Sequence, residues 1–296
     1  MASRRPGLAP FGQGTWGWVM EMFPTECRAT GFSVANFIGG VISSFYALIP
    51  AMMHCSSISG HRGFDAMLTT TPPATYADLV AALDEGLAAV RDTFASLREA
   101  EWTRSTLLEP LDPAQRPWTV LELAAHFTIS VGLTLALVDG AQAGQTGRDR
   151  VSFFIFDRTQ VAPVVYDYAV AQARGRQPAD LMRTLEETFV RTLEAARSHS
   201  PDLIGPGYYA LMRLDEFVAS RIVEAVVHGL DLTDALGRDP LSTPRATAVT
   251  AQILDELLAR RTVPGRPADL VGDDPAFIRA ASGRGKHTDP RLPLIG

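Results

Sequence analysis

The chain has 296 residues, of which 46% are hydrophobic, so it can bury one large core and a smaller additional segment. Acidic residues outnumber basic ones by 33 to 27, the formal net charge is -6, and no basic stripe is present to collect phosphates, which excludes nucleic acid as an expected partner. The two cysteines, Cys27 and Cys55, belong to no CxxC motif and exclude a disulfide scaffold or a thiolate metal site.

The first predicted element is a hydrophobic leader, defined here as residues 1–66. Within it, residues 29–53 carry no charge, are rich in Gly, Ala and Ser, and are long enough to cross a bilayer. The overlapping sequence EMFPTECRATG resembles a loop-to-helix motif of sugar-transporter-like members of the major facilitator superfamily, over about residues 16–50. A single span of that many-span fold implies no transport. We interpret the leader as a fusion remnant or an overextended start, with Met67 as the natural beginning, and expect membrane association only if the leader is genuine.

Downstream of the leader, hydrophobic residues recur at helical spacing and predict a series of soluble helices. These helices cover about residues 75–97, 119–140, 161–174, 179–198, 209–236, 244–261 and 275–281. A short apolar run, VSFFIF, and a breaker sequence, PDLIGPG, interrupt the series. The first two helices open on predicted caps, with Thr75 before Asp78 and Thr119 before Glu122.

Four long helices, two of them apolar enough to be buried, predict an all-α protein built on a four-helix bundle. The bundle is expected over residues 67–240, with a short C-terminal helical tail over residues 241–296. The sequence contains no Rossmann glycine fingerprint, no Walker loop and no GxSxG elbow. The commoner nucleotide-binding and serine hydrolase chemistries are therefore not expected.

An imidazole and a carboxylate lie one turn apart on an otherwise apolar predicted helix, RIVEAVVHGLDL. At about 100° per residue, the side chains of Arg221, Glu224, His228 and Asp231 fall within about an 80° arc and share one face. Glu224 and His228 could share a cation, and His126, in the nearly all-apolar helix WTVLELAAHF, supplies a third ligand. Two histidines and a carboxylate suit zinc or a similar divalent ion. Three protein ligands leave one coordination position open, as in catalytic rather than structural sites.

Plainer interpretations of these side chains stay open on the residues alone. A core histidine such as His126 is commonly satisfied by a backbone carbonyl. A buried Glu224 needs a cation, which either Arg221 or a metal could supply, and an exposed Arg221–Glu224 contact would be an ordinary helix pair. Asp231 could accept the ring hydrogen of His228 or assist proton movement, or it could only cap the end of the helix.

The sequence WTVLELAAH, followed about a hundred residues later by RIVEAVVHGLDLTDALG, resembles the metal-binding domain of the mycothiol-dependent maleylpyruvate isomerase family, a branch of the DinB-like thiol transferases. The resemblance covers about residues 75–240 and, more loosely, the tail that ends in FIRAASGR. It implies a DinB-like bundle in which His126, Glu224 and His228 bind zinc. The isomerase of that family carries a further α/β domain, for which the stretch after Gly237 is too short.

The resemblance also implies a mechanism. Zinc with an open position would bind the sulfur of mycothiol or another low-molecular-weight thiol and lower its pKa, so that the thiolate can attack a small electrophile. The outcome is either isomerisation of a maleyl double bond or transfer of the thiol, in the cytoplasm. The alternative hypothesis is a non-catalytic helical module whose metal is structural or lost, or a membrane-tethered accessory protein if the leader is genuine.

Overall fold

The computed structural model describes residues 74–208 and 210–295. The leader (residues 1–66) with its membrane-crossing stretch (residues 29–53), the transporter-like motif and the expected start at Met67 all lie outside the described residues. The described α-helices are α1 (Tyr76–Ala95), α2 (Val120–Asp139), α3 (Arg158–Ala173), α4 (Pro178–Ser198), α5 (Leu214–Leu236), α6 (Pro244–Arg261) and α7 (Asp274–Ala281). Two three-residue strands, β1 (Ile204–Pro206) and β2 (Leu211–Arg213), form an antiparallel pair.

The four longest helices, α1, α2, α4 and α5, form the bundle. Helix α2 packs against both α4 and α5, and α1 packs against α5 and α4 on the other side. Helices α6 and α7 form a C-terminal extension that packs on α1, α5 and each other. The predicted all-α four-helix bundle with a short C-terminal helical extension is confirmed, whereas its division at residues 67 and 240 stays a prediction.

Helix α2 occupies the centre of the bundle because it is apolar on almost every side. Leu123, Phe127 and Val131 are completely buried. The helix opens on the predicted capping box, in which the Thr119 hydroxyl accepts the Glu122 backbone N–H and the Glu122 carboxylate accepts the Thr119 backbone N–H. Among the described residues, α2 is also the one helix long and apolar enough to cross a membrane, yet 78% of its most apolar window is buried inside the protein. This burial is typical of a core helix.

The start of α5 is the main departure from the sequence prediction, which began this helix at about residue 209. The chain instead forms a hairpin in which Ile204 lies opposite Arg213, and α5 begins at Leu214. Strands of three residues are too short to show an alternating pattern, so they could not be predicted from the residues. The end of α5 agrees with the prediction, because Gly237 adopts the left-handed conformation, with φ 64°, that terminates helices.

Two arginine–aspartate pairs tie the segment after α6 to α5. Arg279 contacts Asp234 at 2.6 Å, and Arg284 contacts Asp231 at 2.8 Å. Phe277, at the centre of α7, is completely buried in the same core as the bundle helices. The extension is therefore part of the bundle's core and reaches the helix that carries Glu224.

Candidate metal centre

Three potential ligands converge where α2 faces α5. The ligand atoms of His126, Glu224 and His228 all lie within 4.8 Å of one another. The Nε2 atoms of both histidines are 3.4 Å from the same carboxylate oxygen, Oε2 of Glu224, and the two ring centroids are 4.6 Å apart. The side chains are 10%, 18% and 13% exposed in sequence order, so the cluster is nearly buried.

The helices bring these side chains together for simple geometric reasons. Glu224 and His228 are four residues apart on α5, so they project from the same face one turn apart. His126 comes from α2, which runs antiparallel to α5, and its ring meets their side chains across the helix interface. The juxtaposition predicted from ExxxH and the lone imidazole of the apolar helix is present in the fold.

The donor set fits a tetrahedral divalent ion such as zinc. Two ligand atoms bound at about 2.0–2.1 Å and at the tetrahedral angle lie roughly 3.3 Å apart. The two His–Glu distances of 3.4 Å match that spacing. Two imidazole nitrogens and a carboxylate oxygen are also the ligand types that zinc accepts, and three of them leave a fourth position for another ligand.

Glu224 is held ionised by its neighbours. Burial alone would raise the pKa of its carboxyl, but hydrogen bonds with His126 and His228 and the positive charge of Arg221 hold the pKa well below its ordinary value. Among the described residues, Glu224 forms ion pairs with the two imidazoles and with no arginine or lysine. The site therefore offers an anion to an incoming cation.

The two histidines differ in their protonation. Burial lowers the pKa of His126, which is therefore neutral at pH 7. Burial also acts to lower the pKa of His228, but hydrogen bonds with Asp231 and Glu224 outweigh it and raise the pKa to about 9. A divalent ion at this site would take the place of the Nε2 proton of His228, next to Glu224.

Asp231 lies against the back of the His228 ring and is 3% exposed. Its Oδ2 is 2.8 Å from Nδ1 of His228, and its two oxygens accept two hydrogen bonds from the guanidinium of Arg284, at 2.9 and 2.8 Å. The structure thus places Asp231 where it can fix the orientation of His228 and leave Nε2 directed at Glu224. It is not a solvated residue at the helix end.

A cleft of about 200 Å³ opens onto Glu224 and His228. Its walls combine aromatic and aliphatic side chains with three arginines, among them Trp118, Phe154, Phe156, Arg116, Arg158, Tyr166, Val223, Val227 and Arg284. The indole of Trp118 packs on the His126 ring at a centroid distance of 5.0 Å and stacks with Tyr166 at 6.2 Å. An apolar cleft with a few convergent polar groups is the usual form of a small-molecule site.

Comparison with known families decides where the chain belongs. The family model described as the mycothiol maleylpyruvate isomerase N-terminal domain matches residues 83–233, which is just over half of the chain and includes all three members of the cluster. The chain belongs to this family. A search of curated proteins found no match.

Solved structures of this family share the fold. Two of them, the mycothiol-dependent maleylpyruvate isomerase and a histidine-to-alanine variant of it, superpose with TM-scores of 0.50 and 0.52 at 17% sequence identity. Each match covers 74% of this chain and 93% of the isomerase chain. The expectation that the stretch after Gly237 is too short for a further α/β domain stays a prediction.

None of the three arginines that line the cleft was named from the sequence, and of these Arg284 and Arg158 bear most on the site. Arg284 follows α7 and reaches Asp231 across 53 residues, and Arg158 lies in the first turn of α3. Arg158 forms no hydrogen bond or ion pair with any described residue, and burial together with the positive charges of Arg284 and Arg261 lowers its pKa. The FIRAASGR motif was a weak signal for Arg284, whereas no local pattern marks Arg158.

Proposed function

We propose that this chain is a zinc-dependent enzyme that uses a low-molecular-weight thiol, mycothiol, to attack a small electrophile, with isomerisation or thiol transfer as the result. The observation that carries the proposal is the meeting of two imidazoles and one ionised carboxylate beneath a cleft. Membership of the mycothiol maleylpyruvate isomerase N-terminal domain family supports the choice of thiol and the isomerase-like activity.

In this proposal, His126, Glu224 and His228 hold the metal. Zinc bound there would act as a Lewis acid that lowers the pKa of a thiol, which makes thiolate available at neutral pH. Asp231, itself held by Arg284, keeps the ring of His228 in the orientation that presents Nε2 to the site. A thiol bound at these residues would lie at one end of the cleft.

The rest of the cleft would bind and orient the electrophile. Trp118 and Tyr166 present aromatic surface that excludes water and packs against an apolar part of a ligand. Arg158 has no acidic partner among the described residues and offers charge-assisted hydrogen bonds to an anionic group. An electrophile that carries a carboxylate, as maleylpyruvate does, would suit this combination.

The same nucleophile supports both proposed reactions. In isomerisation, the thiolate adds to a carbon of the double bond, the new single bond rotates, and elimination expels the thiolate unchanged. In transfer, the carbon–sulfur bond persists and a leaving group departs with the electron pair of its broken bond. A leaving group on the electrophile, rather than a different protein site, would therefore decide the outcome.

Replacement of His228 by alanine tests the proposal. We expect zinc binding and thiol-dependent turnover of maleylpyruvate and related electrophiles to be lost, while far-ultraviolet circular dichroism stays close to that of the wild type. His199→Ala is the control, because this exposed histidine at the end of α4 bonds only locally. Turnover that survives in His228→Ala would rule the proposal out.

The same variant separates the enzyme from a structural metal module. If the metal were structural, the His228→Ala protein would lose its helicity together with its zinc. Without a metal, the negative charge of Glu224 is paired with the protonated ring of His228. This pairing supports a bundle that folds both with and without the metal. We also propose a cytoplasmic location for the bundle, residues 67–240, which fractionation of native cells would test.

A further inference from the structure

Arg221 is a buried cation near the candidate metal ligands, and its side chain is one of the largest that are fully buried. It is 2% exposed and has no acidic ion-pair partner among the described residues. Its guanidinium carbon lies 4.8 Å from the ring centre of Phe153 and 4.7 Å from that of Phe217. A buried guanidinium without a carboxylate is costly, so the contacts that hold it are informative.

The hydrogen bonds of Arg221 join the two helices that carry the ligands. Nη1 donates to the backbone carbonyl of Ser130 on α2 at 3.0 Å. Nε and Nη2 both donate to the hydroxyl of Ser220 on α5, at 3.3 and 3.2 Å. The planar guanidinium of Arg221 therefore connects α5, its own helix, with α2.

The hydrogen bonds of Arg221 lie one turn from the candidate metal ligands on both helices. Ser130 is four residues after His126 on α2, and Arg221 is three residues before Glu224 on α5. Because α2 and α5 are antiparallel, the Arg221–Ser130 contact and the His126–Glu224 contact follow one another along the same helix interface. They are about 5.4 Å apart along the helix axis. A shift of α2 along α5 would therefore break both of these contacts together.

We propose that Arg221 is a positioning residue that holds α2 and α5 in the register at which His126 meets Glu224 and His228. The inference rests on the proposed metal site. Arginine suits this task better than lysine, because its rigid planar fork can reach two acceptors at once while its faces stack on two aromatic rings. Phe153, in the turn between α2 and α3, fixes one of those faces.

Arg221→Lys separates position from charge, because it keeps the positive charge near Glu224 and loses the fork. We expect zinc alone to bind this variant about tenfold more weakly than the wild type, as measured by competition with a chelating dye. The visible spectrum of the Co²⁺-substituted protein should also change, since it reports the arrangement of the ligands. Arg266→Lys is a matched control: Arg266 is also largely buried and stacks on a ring, that of Phe277, at 4.2 Å, but its partners are outside the cluster.

Phe153→Leu is a second, milder variant that removes one stacking face and no polar group. Weaker zinc binding and an altered Co²⁺ spectrum, with helicity retained and Arg266→Lys unaffected, would support the inference. Wild-type zinc affinity and Co²⁺ spectra in both Arg221→Lys and Phe153→Leu would overturn it and leave the proposed function intact. A wild-type protein that binds no zinc would overturn both.

Discussion

At the scale of single residues, the chain Arg284–Asp231–His228–Glu224 links the C-terminal extension to the candidate metal. Each member is hydrogen-bonded or ion-paired to the next, at 2.8, 2.8 and 3.4 Å. The carboxylate of Asp231 is buried, and its charge is compensated by an arginine and an imidazole. Loss of either partner would leave part of that buried charge uncompensated, which is unfavourable. The pairing therefore fixes the plane of the His228 ring and links that ring to the extension.

Asp231→Asn keeps a hydrogen-bond acceptor for His228 but removes the charge that Arg284 pairs with. We expect zinc affinity to fall by about tenfold, because the groups that orient a metal ligand commonly contribute that much. Asp234→Asn is the matched control, since Asp234 lies on the same helix and pairs with Arg279 rather than with a histidine. Equal zinc affinities for the two variants in dye competition would contradict this view of Asp231.

Arg158→Gln tests the charge of the electrophile. We expect the KM of a carboxylate-bearing electrophile to rise about three- to tenfold, with kcat little changed, because an exposed arginine contributes a modest charge-assisted bond. A neutral electrophile should show no such increase. Arg116→Gln should have a smaller effect, since the charge of Arg116 is already neutralised by Glu122. An equal increase in KM for charged and neutral substrates would argue against an anion contact at Arg158.

At the scale of elements, the entry of α2 positions His126, which lies two turns farther along. Glu122 closes the capping box and accepts two hydrogen bonds from Arg116. Burial acts to raise the pKa of Glu122, but the bonds from Arg116 and Thr119 outweigh it and lower the pKa below its ordinary value of 4.5. Because the folded pKa is depressed, this group stabilises the fold fully above about pH 4.5 and loses that contribution as the pH falls below it.

Glu122→Gln should therefore flatten the acid side of the stability profile. Above pH 5 we expect the variant to be less stable than the wild type by about 1 kcal/mol, the usual contribution of a cap, and the difference should shrink toward pH 3. Urea unfolding across this pH range measures it. Glu187→Gln, on the exposed face of α4, is the control. A difference independent of pH would show that the Glu122 charge is not involved.

Most helix ends could be predicted because local chemistry marks them. Residue type alone marks the helix caps at Thr75 and Thr119 and the left-handed helix end at Gly237. The pair Glu224 and His228 followed from spacing alone, and His126 from its isolation in an apolar helix. The hairpin before α5 was missed because its three-residue strands carry no pattern. The arginines of the cleft were missed because only the tertiary fold brings them there.

At the scale of the whole molecule, the C-terminal extension belongs to the same core as the bundle. It buries Phe277 completely and contributes Arg284 to the cleft. The sequence suggested a helical tail, but local patterns could not show that this tail packs on α1 and α5 and that Arg284 reaches Asp231, beside the candidate ligand His228. Continuity of the core implies that the bundle and the extension unfold together.

Phe277→Ala tests this continuity. Loss of a fully buried phenylalanine should lower the free energy of unfolding by about 3–5 kcal/mol. We expect one cooperative transition at a lower temperature, followed in parallel by circular dichroism and tryptophan fluorescence. Val271→Ala is a control on the same extension, because Val271 is 69% exposed. Two separate transitions would show that the extension is an independent unit.

The most direct test of the metal site is an X-ray absorption spectrum of the zinc-loaded protein, recorded before and after addition of mycothiol. We expect one zinc per chain with nitrogen and oxygen ligands at about 2.0–2.1 Å, including two imidazoles, and a new sulfur ligand at about 2.3 Å once the thiol is added. A protein that takes up no stoichiometric zinc, or a zinc shell that gains no sulfur from the thiol, would contradict the proposed chemistry.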